Sequence, residues 1–290
     1  MGSGSWTTDS FVTYSTARGM SVNTSGSITG DYSAQEMFTQ RRIAHELDPK
    51  NVIRECCDST EHPNTKPVIL ALDVTGSMGG ASVKVAKELN VIMTELYGKI
   101  KDVEFLIMGI GDLACDDAPI QASQFESDIR IAEQLDKIYF EGGGGGNAYE
   151  SYTAAWYFGV NHCKLDCWKR GKKGTIITLG DEPLNPYLPG VALSRTTGDH
   201  LQAGVETEDL YKEVIQKYDV YHLAVDDRET SYWRYADRIK DSFGKYLDEN
   251  HLRVVNMDNL ASTIVEIVSN SEKYAETGNN VVNESEAISW

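Results

Sequence analysis

Four continuous apolar runs, each closed by a polar turn, constrain this chain more than anything else in it. PVILALDV (67–74), VEFLIMGIGD (103–112), TIITLGD (175–181) and VYHLAVDD (220–227) lack the alternation of a strand with one wet face. Aliphatic runs of that length read as strands buried on both sides. LRVVNMD (252–258) adds another strand, and a shorter one near 119–125 follows the acidic turn CDDAP. Helical spacing fills the intervals, most clearly over 81–100, where Val83, Val85, Ala86, Leu89, Ile92, Met93 and Leu96 recur. Further helices are expected near 127–138, 148–170, 206–218, 231–249 and 259–271. Strands alternating with helices predict a mostly parallel central sheet with helices on both faces. Such sheets bind ligands beyond the carboxyl ends of their strands, where the strand order reverses.

The flanking segments read differently. Residues 1–30 are rich in Ser, Thr and Gly and predict an extended or weakly ordered arm, with Trp6, Phe11 and Tyr14 available to dock. A helix is expected over 33–47, with Met37, Phe38, Ile43 and Leu47 on its apolar side and Pro49 as its stop. The expected organisation is therefore an extension (1–65), an α/β domain (66–275) and a polar tail (276–290). The aromatics Tyr149, Tyr152, Trp156, Tyr157 and Phe158 cover too broad an arc for one helix face and are read mainly as core. The proline-containing loop 182–205 follows the third strand directly and would frame whatever sits at its end.

Composition narrows the function. Against 27 basic residues the chain has 44 acidic ones, a net charge of −17, which repels a phosphate backbone and argues against nucleic acid. No apolar run is long enough to span a bilayer, and MGSGSWTTDS has neither the basic nor the apolar region of a secretory signal, so a cytoplasmic location is expected. Five cysteines (Cys56, Cys57, Cys115, Cys163, Cys167) form an odd set without CxxC spacing. Reduced thiols are expected, rather than disulfides or a zinc site with His162.

Asp73, Asp112 and Asp181 each close a strand on the same predicted edge, and Asp226 and Asp258 close two others. An aspartate after a strand is commonly just a cap or turn residue. Asp73 differs because DVTGS places short oxygen donors at 73, 75 and 77. Hard cations such as Mg²⁺ take oxygen ligands in near-octahedral order. The bare pattern D-x-[ST]-x-S would arise by chance in roughly one chain in eight of this length. Its position, after VILAL and before an amphipathic helix, makes it a site.

With the glycine loop GGGGGNAYES and the later TLGD, this segment resembles the von Willebrand factor A-type (vWA) domain and its metal-ion-dependent adhesion site. The resemblance covers about residues 66–271 and implies a Rossmann-like α/β fold of an intracellular bacterial or phage type. It implies that Thr75 and Ser77 bind Mg²⁺ (or Mn²⁺ or Ca²⁺) through their hydroxyls, with Asp73 and Asp181 acting directly or through water. It further implies one open coordination position, taken by a Glu or Asp of a protein partner, and by family association a link to AAA-type ATPase systems. Some relatives shift their last helix on ligation, and 259–271 is the corresponding segment. Two departures stand out. Thr75 replaces the commoner serine and keeps the hydroxyl. The family's threonine in the middle loop has no match, leaving Asn147 and Glu150 as candidates for direct or indirect metal contact.

Other chemistries fit less well. The five glycines are not followed by the Lys and hydroxyl of a phosphate loop. A Mg²⁺-dependent phosphoester hydrolase using the same carboxylates would need a basic residue at this edge, but Lys172 and Lys173 precede the third strand at its other end. His162 and His222 fall in regular elements and read as core or surface residues. The expected function is a non-enzymatic, metal-dependent protein-binding module. The alternatives are that hydrolase and a structural domain with a vestigial metal site.

Overall fold

The computed structural model describes residues 4–142 and 149–280, with side chains described to residue 270. Its apolar runs form six strands of one sheet: β1 (Lys66–Asp73), β2 (Val103–Ile110), β3 (Ile120–Ala122), β4 (Gly174–Gly180), β5 (Tyr218–Val225) and β6 (Leu252–Val255). Their order is β6-β5-β4-β1-β2-β3. Every pairing is parallel except that of β3, which runs antiparallel to β2 at one edge. The chain therefore builds outward from β1 in one direction, returns to β4 and builds outward in the other. The order reverses between β1 and β4, the place where an open α/β sheet leaves a crevice for a ligand.

The helices are α1 (Thr8–Ala17), α2 (Ala34–Met37), α3 (Gly79–Tyr97), α4 (Arg130–Leu135), α5 (Thr153–Asn161), α6 (Gly190–Thr197), α7 (Thr207–Lys217), α8 (Tyr232–Phe243) and α9 (Leu260–Asn280). Successive strand residues point to opposite faces, so each central strand feeds two cores. Val68, Leu70 and Leu72 join Ile177, Leu179, Leu223 and the apolar faces of α3 and α9 on one side. Ile69 and Ala71 join Leu106, Met108, Ile176 and residues of α5, α7 and α8 on the other. Both faces of these strands are covered by apolar side chains, which accounts for the missing polar alternation in the runs. No helix among the described residues is long and apolar enough to cross a membrane.

The extension departs from expectation. Instead of a loose arm, residues 8–17 form α1, capped by Thr7, whose hydroxyl accepts the Ser10 N–H at 3.2 Å. A short antiparallel pair, Ser21–Val22 with Ile28–Thr29, follows. Trp6, Phe11, Met20 and Ile28 are buried in the α3-side core, and the Trp6 indole donates to Asn90 on α3 at 2.9 Å. Docking onto a helix laid down some eighty residues later supplies the order that the polar composition of this segment does not. The helix expected over 33–47 is only α2, held by a Ser33/Glu36 capping box, and a 3₁₀ turn at His45–Leu47. The backbone leaves the helix at Phe38, whose ring stacks on Phe140 with centroids 5.9 Å apart. Tertiary packing here outweighs helical spacing.

Other boundaries move for similar reasons. The helix expected over 148–170 ends as α5 at Asn161; Cys163–Leu165 then pairs in parallel with Arg54–Cys56 of the extension, and a 3₁₀ turn covers Asp166–Arg170. A strand partner a hundred residues away is invisible to a local window. The loop 182–205 contains α6, flanked by the strand pair Tyr187–Leu188 and Val205–Glu206. The helices expected over 127–138 and 231–249 shorten to α4 and α8.

If the extension is part of the core, opening a hole in it must be costly. Phe11→Ala should destabilise the protein by about 3 kcal/mol, read as a lowered urea midpoint. A midpoint unchanged from wild type would mean that the extension is only loosely attached.

Candidate metal centre

β1 carries Asp73 to the sheet edge, and the register Leu72↔Leu179 sets the end of β4, with Asp181 just beyond it, alongside. The chain then turns through a 3₁₀ segment, Gly76–Met78, into α3. Thr75 starts that turn and folds back on Asp73: its N–H and hydroxyl both donate to Asp73 Oδ1, at 2.9 and 2.5 Å. A hydroxyl that donates its proton to a carboxylate keeps its lone pairs for another acceptor-seeking group, such as a cation. Asp73 and Thr75 are buried, and Ser77 is half-buried.

Asp181 is organised in parallel. Its Oδ2 accepts the Ser231 N–H at 2.5 Å, and the Ser77 hydroxyl also favours its charged form. Its Oδ1 is buried and has no hydrogen-bond partner, as are Oε2 of Glu150 and Oε2 of Glu182. Glu150 bridges to Leu184, in the loop following β4. Thus Asp73, Thr75, Ser77 and Asp181 come together at the reversal of strand order, with Glu150 beside them. Asn147 lies outside the described residues. Asp226 and Asp258, which close β5 and follow β6, are exposed and take no part.

Tyr152 ties the two strand ends together, and the sequence did not single it out among five aromatics. Its hydroxyl donates to Asp73 Oδ2 at 2.8 Å and accepts the N–H groups of Asp181 and Glu182 at 3.2 and 3.3 Å. The buried ring crosses directly over Gly180, where an added Cβ would come within 2.0 Å of the phenolic oxygen. A glycine is therefore obligatory at the end of β4. Only the three-dimensional arrangement separates Tyr152 from its neighbours, because Trp156 and Phe158 are equally buried and serve packing alone.

The charges are unbalanced. Burial and the neighbouring Asp181 raise the Asp73 carboxyl, against the opposing hydrogen bonds from Thr75 and Tyr152. Burial likewise raises Asp181, and burial together with the charges of Asp73 and Glu182 raises Glu150. Burial and Asp181 push Glu182 up to about 7, although Arg238 and Arg234 act in the other direction. Asp112 and Asp116 add to the field felt by Glu150. Carboxylates held this close require protons or a cation to relieve them. Among the described residues no three His, Cys, Asp or Glu side chains could hold an ion between them. An ion here would need the Thr75 and Ser77 hydroxyls, and the partnerless Asp181 oxygen suits that donor set.

The remaining candidates lie elsewhere. His162 caps α5, its ring nitrogens 2.9 Å from the Val52 carbonyl and 2.8 Å from Asp199, a tie between the extension and the loop after α6. His222 is buried in β5, stacked on Phe243 at 3.8 Å and pushed down to about 3 by burial. The five cysteines are free thiols, and burial raises Cys163 and Cys167 to about 12.

No protein-family model matches the chain, and no curated protein matches it. Among solved structures it is similar to the pilus adhesin SpaC from Lactobacillus rhamnosus GG in its open conformation, at 12% identity and a TM-score of 0.47 over 77% of this chain and 31% of that one. It spans about a third of the length of that adhesin. It is also similar to the vWF domain of the type V pili tip protein Mfa5 from Porphyromonas gingivalis (12% identity, TM-score 0.40, 78% of this chain and 99% of that one). The SpRpn10 VWA domain is a third (10% identity, TM-score 0.39, 69% and 94%). At these values the likeness assigns no site and no function.

Two outcomes follow from the geometry. Tyr152→Phe keeps the ring but leaves Asp73 Oδ2 and two N–H groups without their partner, and should lower stability by about 1–3 kcal/mol in urea denaturation. The pH response has a definite sign. A carboxyl raised in the folded state stabilises fully below its unfolded value, near 4, and that contribution is lost as pH climbs through the folded value, about 7 for Glu182. Asp58, Asp199 and Asp248 are lowered in the fold, so what they contribute is already complete by about pH 5. The buried neutral His222 adds stability with rising pH up to about 6.5, so in EDTA the melting temperature should fall most clearly between about pH 6.5 and pH 8. A flat profile by scanning fluorimetry would contradict the buried-carboxylate account.

Proposed function

We propose that this chain is a protein-binding module of the vWA type, in which a divalent cation at the β1/β4 edge is held by Thr75 and Ser77, with Asp73 and Asp181 behind or beside them. The observation that carries the reading is the paired arrangement of hydroxyl and carboxylate on two adjacent strand ends, with Asp181 Oδ1 buried and without a partner. Mg²⁺ is the natural occupant of such an all-oxygen set, with Mn²⁺ and Ca²⁺ as substitutes. Asp73 orients the Thr75 hydroxyl, and Tyr152 fixes Asp73. Glu150 stands close enough to feel the Asp73 charge and completes the set from the middle loop in place of the family's threonine.

Held by these residues, a cation would neutralise a site too acidic to accept an anion on its own, and the site could then take a carboxylate. Its ligand is accordingly a Glu or Asp side chain presented by a protein partner. Hydrolysis of a phosphoester is the weaker reading. Asp73, Glu150, Asp181 and Glu182 would repel a phosphate, although Arg234 and Arg238 do bring basic groups to the Glu182 side of this edge. The absence of a membrane-spanning helix among the described residues is compatible with a cytoplasmic location.

Isothermal calorimetry tests the metal half directly. Mg²⁺ or Mn²⁺ should bind the wild-type protein with a single-site isotherm, and Asp73→Ala and Ser77→Ala should abolish the heat. Saturating the site at a hundredfold excess over Kd should raise stability by about 2.7 kcal/mol. Absence of binding by the wild type to Mg²⁺, Mn²⁺ and Ca²⁺ sinks the reading. Turnover of a phosphoester panel that Asp73→Ala removes would replace it with the hydrolase.

A further inference from the structure

The two edges of the central sheet are finished differently. At one edge β3 is covered by the extension: the Arg54 guanidinium donates to the Ala122 carbonyl at 2.8 Å, and the His45–Leu47 turn lies beside it. At the other edge β6 has no such cover among the described residues, and Val254 is 53% exposed. The His222 and Asp226 N–H groups donate to the His251 and Val255 carbonyls at 2.8 and 2.7 Å. In a parallel ladder alternate residues of a strand serve the same neighbour, so the main-chain groups of Leu252 and Val254 point outward. The Leu252 N–H is taken by the Asp248 carbonyl at 2.8 Å, and past the strand the Asn256 N–H by the Asn259 side chain at 2.8 Å. The Val254 N–H and the Leu252 and Val254 carbonyls find no partner among the described residues. Arg253, the one charged residue of β6, is turned to the α9 face, where it pairs with Glu266 at 2.9 Å.

The α8 face of the same strand is open as well. Leu252 and Val254 alternate onto this face, and Arg253 and Val255 onto that of α9. Between β6 and α8 runs a groove of about 430 Å³, floored by Ile239 and Leu247 and walled by Ala236, Leu252 and Val254. Its charged lining residues are three carboxylates, Asp237, Asp248 and Glu249, and one ammonium, Lys240, all of them exposed. Asp248 also holds His251 Nδ1 at 2.7 Å, whereas Asp237, Glu249 and Lys240 make no ion pair among the described residues. Even with Lys240 set against one of them, carboxylates remain in excess around an apolar floor.

We infer that β6 and the groove beside it dock an extended segment of a partner protein as a seventh strand, with a bulky apolar side chain in the groove and a lysine or arginine near it. Each part of this occupant answers a feature of the surface. The three outward main-chain groups call for an extended backbone, which is how strand addition gains affinity, and the groove supplies side-chain specificity. The carboxylate excess selects a basic neighbour for the apolar residue and repels an acidic segment. A second copy of this chain fits less well, since each copy carries a net charge of −17 and would bring the same acidic rim. The surface is independent of the metal reading, because that centre lies two strands away, between β4 and β1.

The probe is a random-peptide display library selected on the full chain in EDTA, which takes the metal centre out of play. Enriched peptides should carry a bulky apolar residue with a Lys or Arg within about three positions. Val254→Pro removes an outward N–H and leaves the ladder to β5 whole, and Asp237→Lys/Glu249→Lys reverses the rim. Each variant should weaken these peptides by about tenfold or more. Methylating the peptide's own backbone nitrogens at alternate residues tests the same bonds without altering the protein, and one of the two registers should lose about tenfold. Basic peptides that bind both variants as tightly as wild type overturn the inference, as does enrichment of acidic sequences or of none. Loss with the charge variant alone, while Val254→Pro and both methylated registers bind normally, overturns the added strand. Self-association in sedimentation that Val254→Pro abolishes would assign the edge to a second copy and overturn the partner segment.

Discussion

The repulsion between Asp73 and Asp181 is the constraint around which the upper edge of this protein is organised. Two carboxylates at the ends of adjacent parallel strands, both shielded from water, would force those strands apart unless other groups restrained them. Each restraint seen in the structure addresses that problem. Thr75 gives Asp73 two hydrogen bonds, Ser231 gives Asp181 one, and the Tyr152 hydroxyl bridges the two strand ends. The glycine at the end of β4 exists to let that tyrosine cross.

The sheet was legible in the sequence because its signal is local and redundant. Four long apolar runs, each buried on both faces, leave little room for another fold class, and DVTGS followed by a helix marks which edge matters. The site was legible only as far as short motifs reach. Asp73, Thr75, Ser77 and Asp181 sit in recognisable loops. Tyr152 and Glu182 do not, because their role depends on what another strand brings above or beside them. Val254 carried no signal either: in a sequence window it resembles one more apolar residue of a buried strand, and only its exposure sets it apart.

In the extension the docking of Trp6 and Phe11 agrees with expectation, and the helix α1 does not, for a related reason. Its Ser, Thr and Gly content describes a chain that cannot order itself, and that is correct as far as it goes. What orders it is α3, to which Trp6 donates and against which Ala34 packs. An added Cβ on Gly79, the first residue of α3, would meet the Ala34 side chain at 3.2 Å. Gly79 is also two residues past Ser77, so the extension braces the turn that carries the candidate ligands. Phe140, which stacks on Phe38, stands two residues before Gly142, whose N–H reaches the Val74 carbonyl at 3.4 Å. The extension, the turn that carries Thr75 and Ser77, and the start of the glycine loop are thus in contact with one another.

The parallel pairing of Arg54–Cys56 with Cys163–Leu165 has a consequence for how the protein is made. A ribosome delivers the extension before the sheet, with Trp6, Phe11 and Met37 in the chain ahead of most of the core they pack into. α3 must follow before the first of them can be covered, and the extension's own strand must wait for more than a hundred further residues. Over that interval the nascent chain exposes apolar side chains that the finished protein hides completely. Its vulnerability to aggregation and proteolysis is therefore concentrated in the extension and in the time of synthesis, about a minute or less for a stretch of this length.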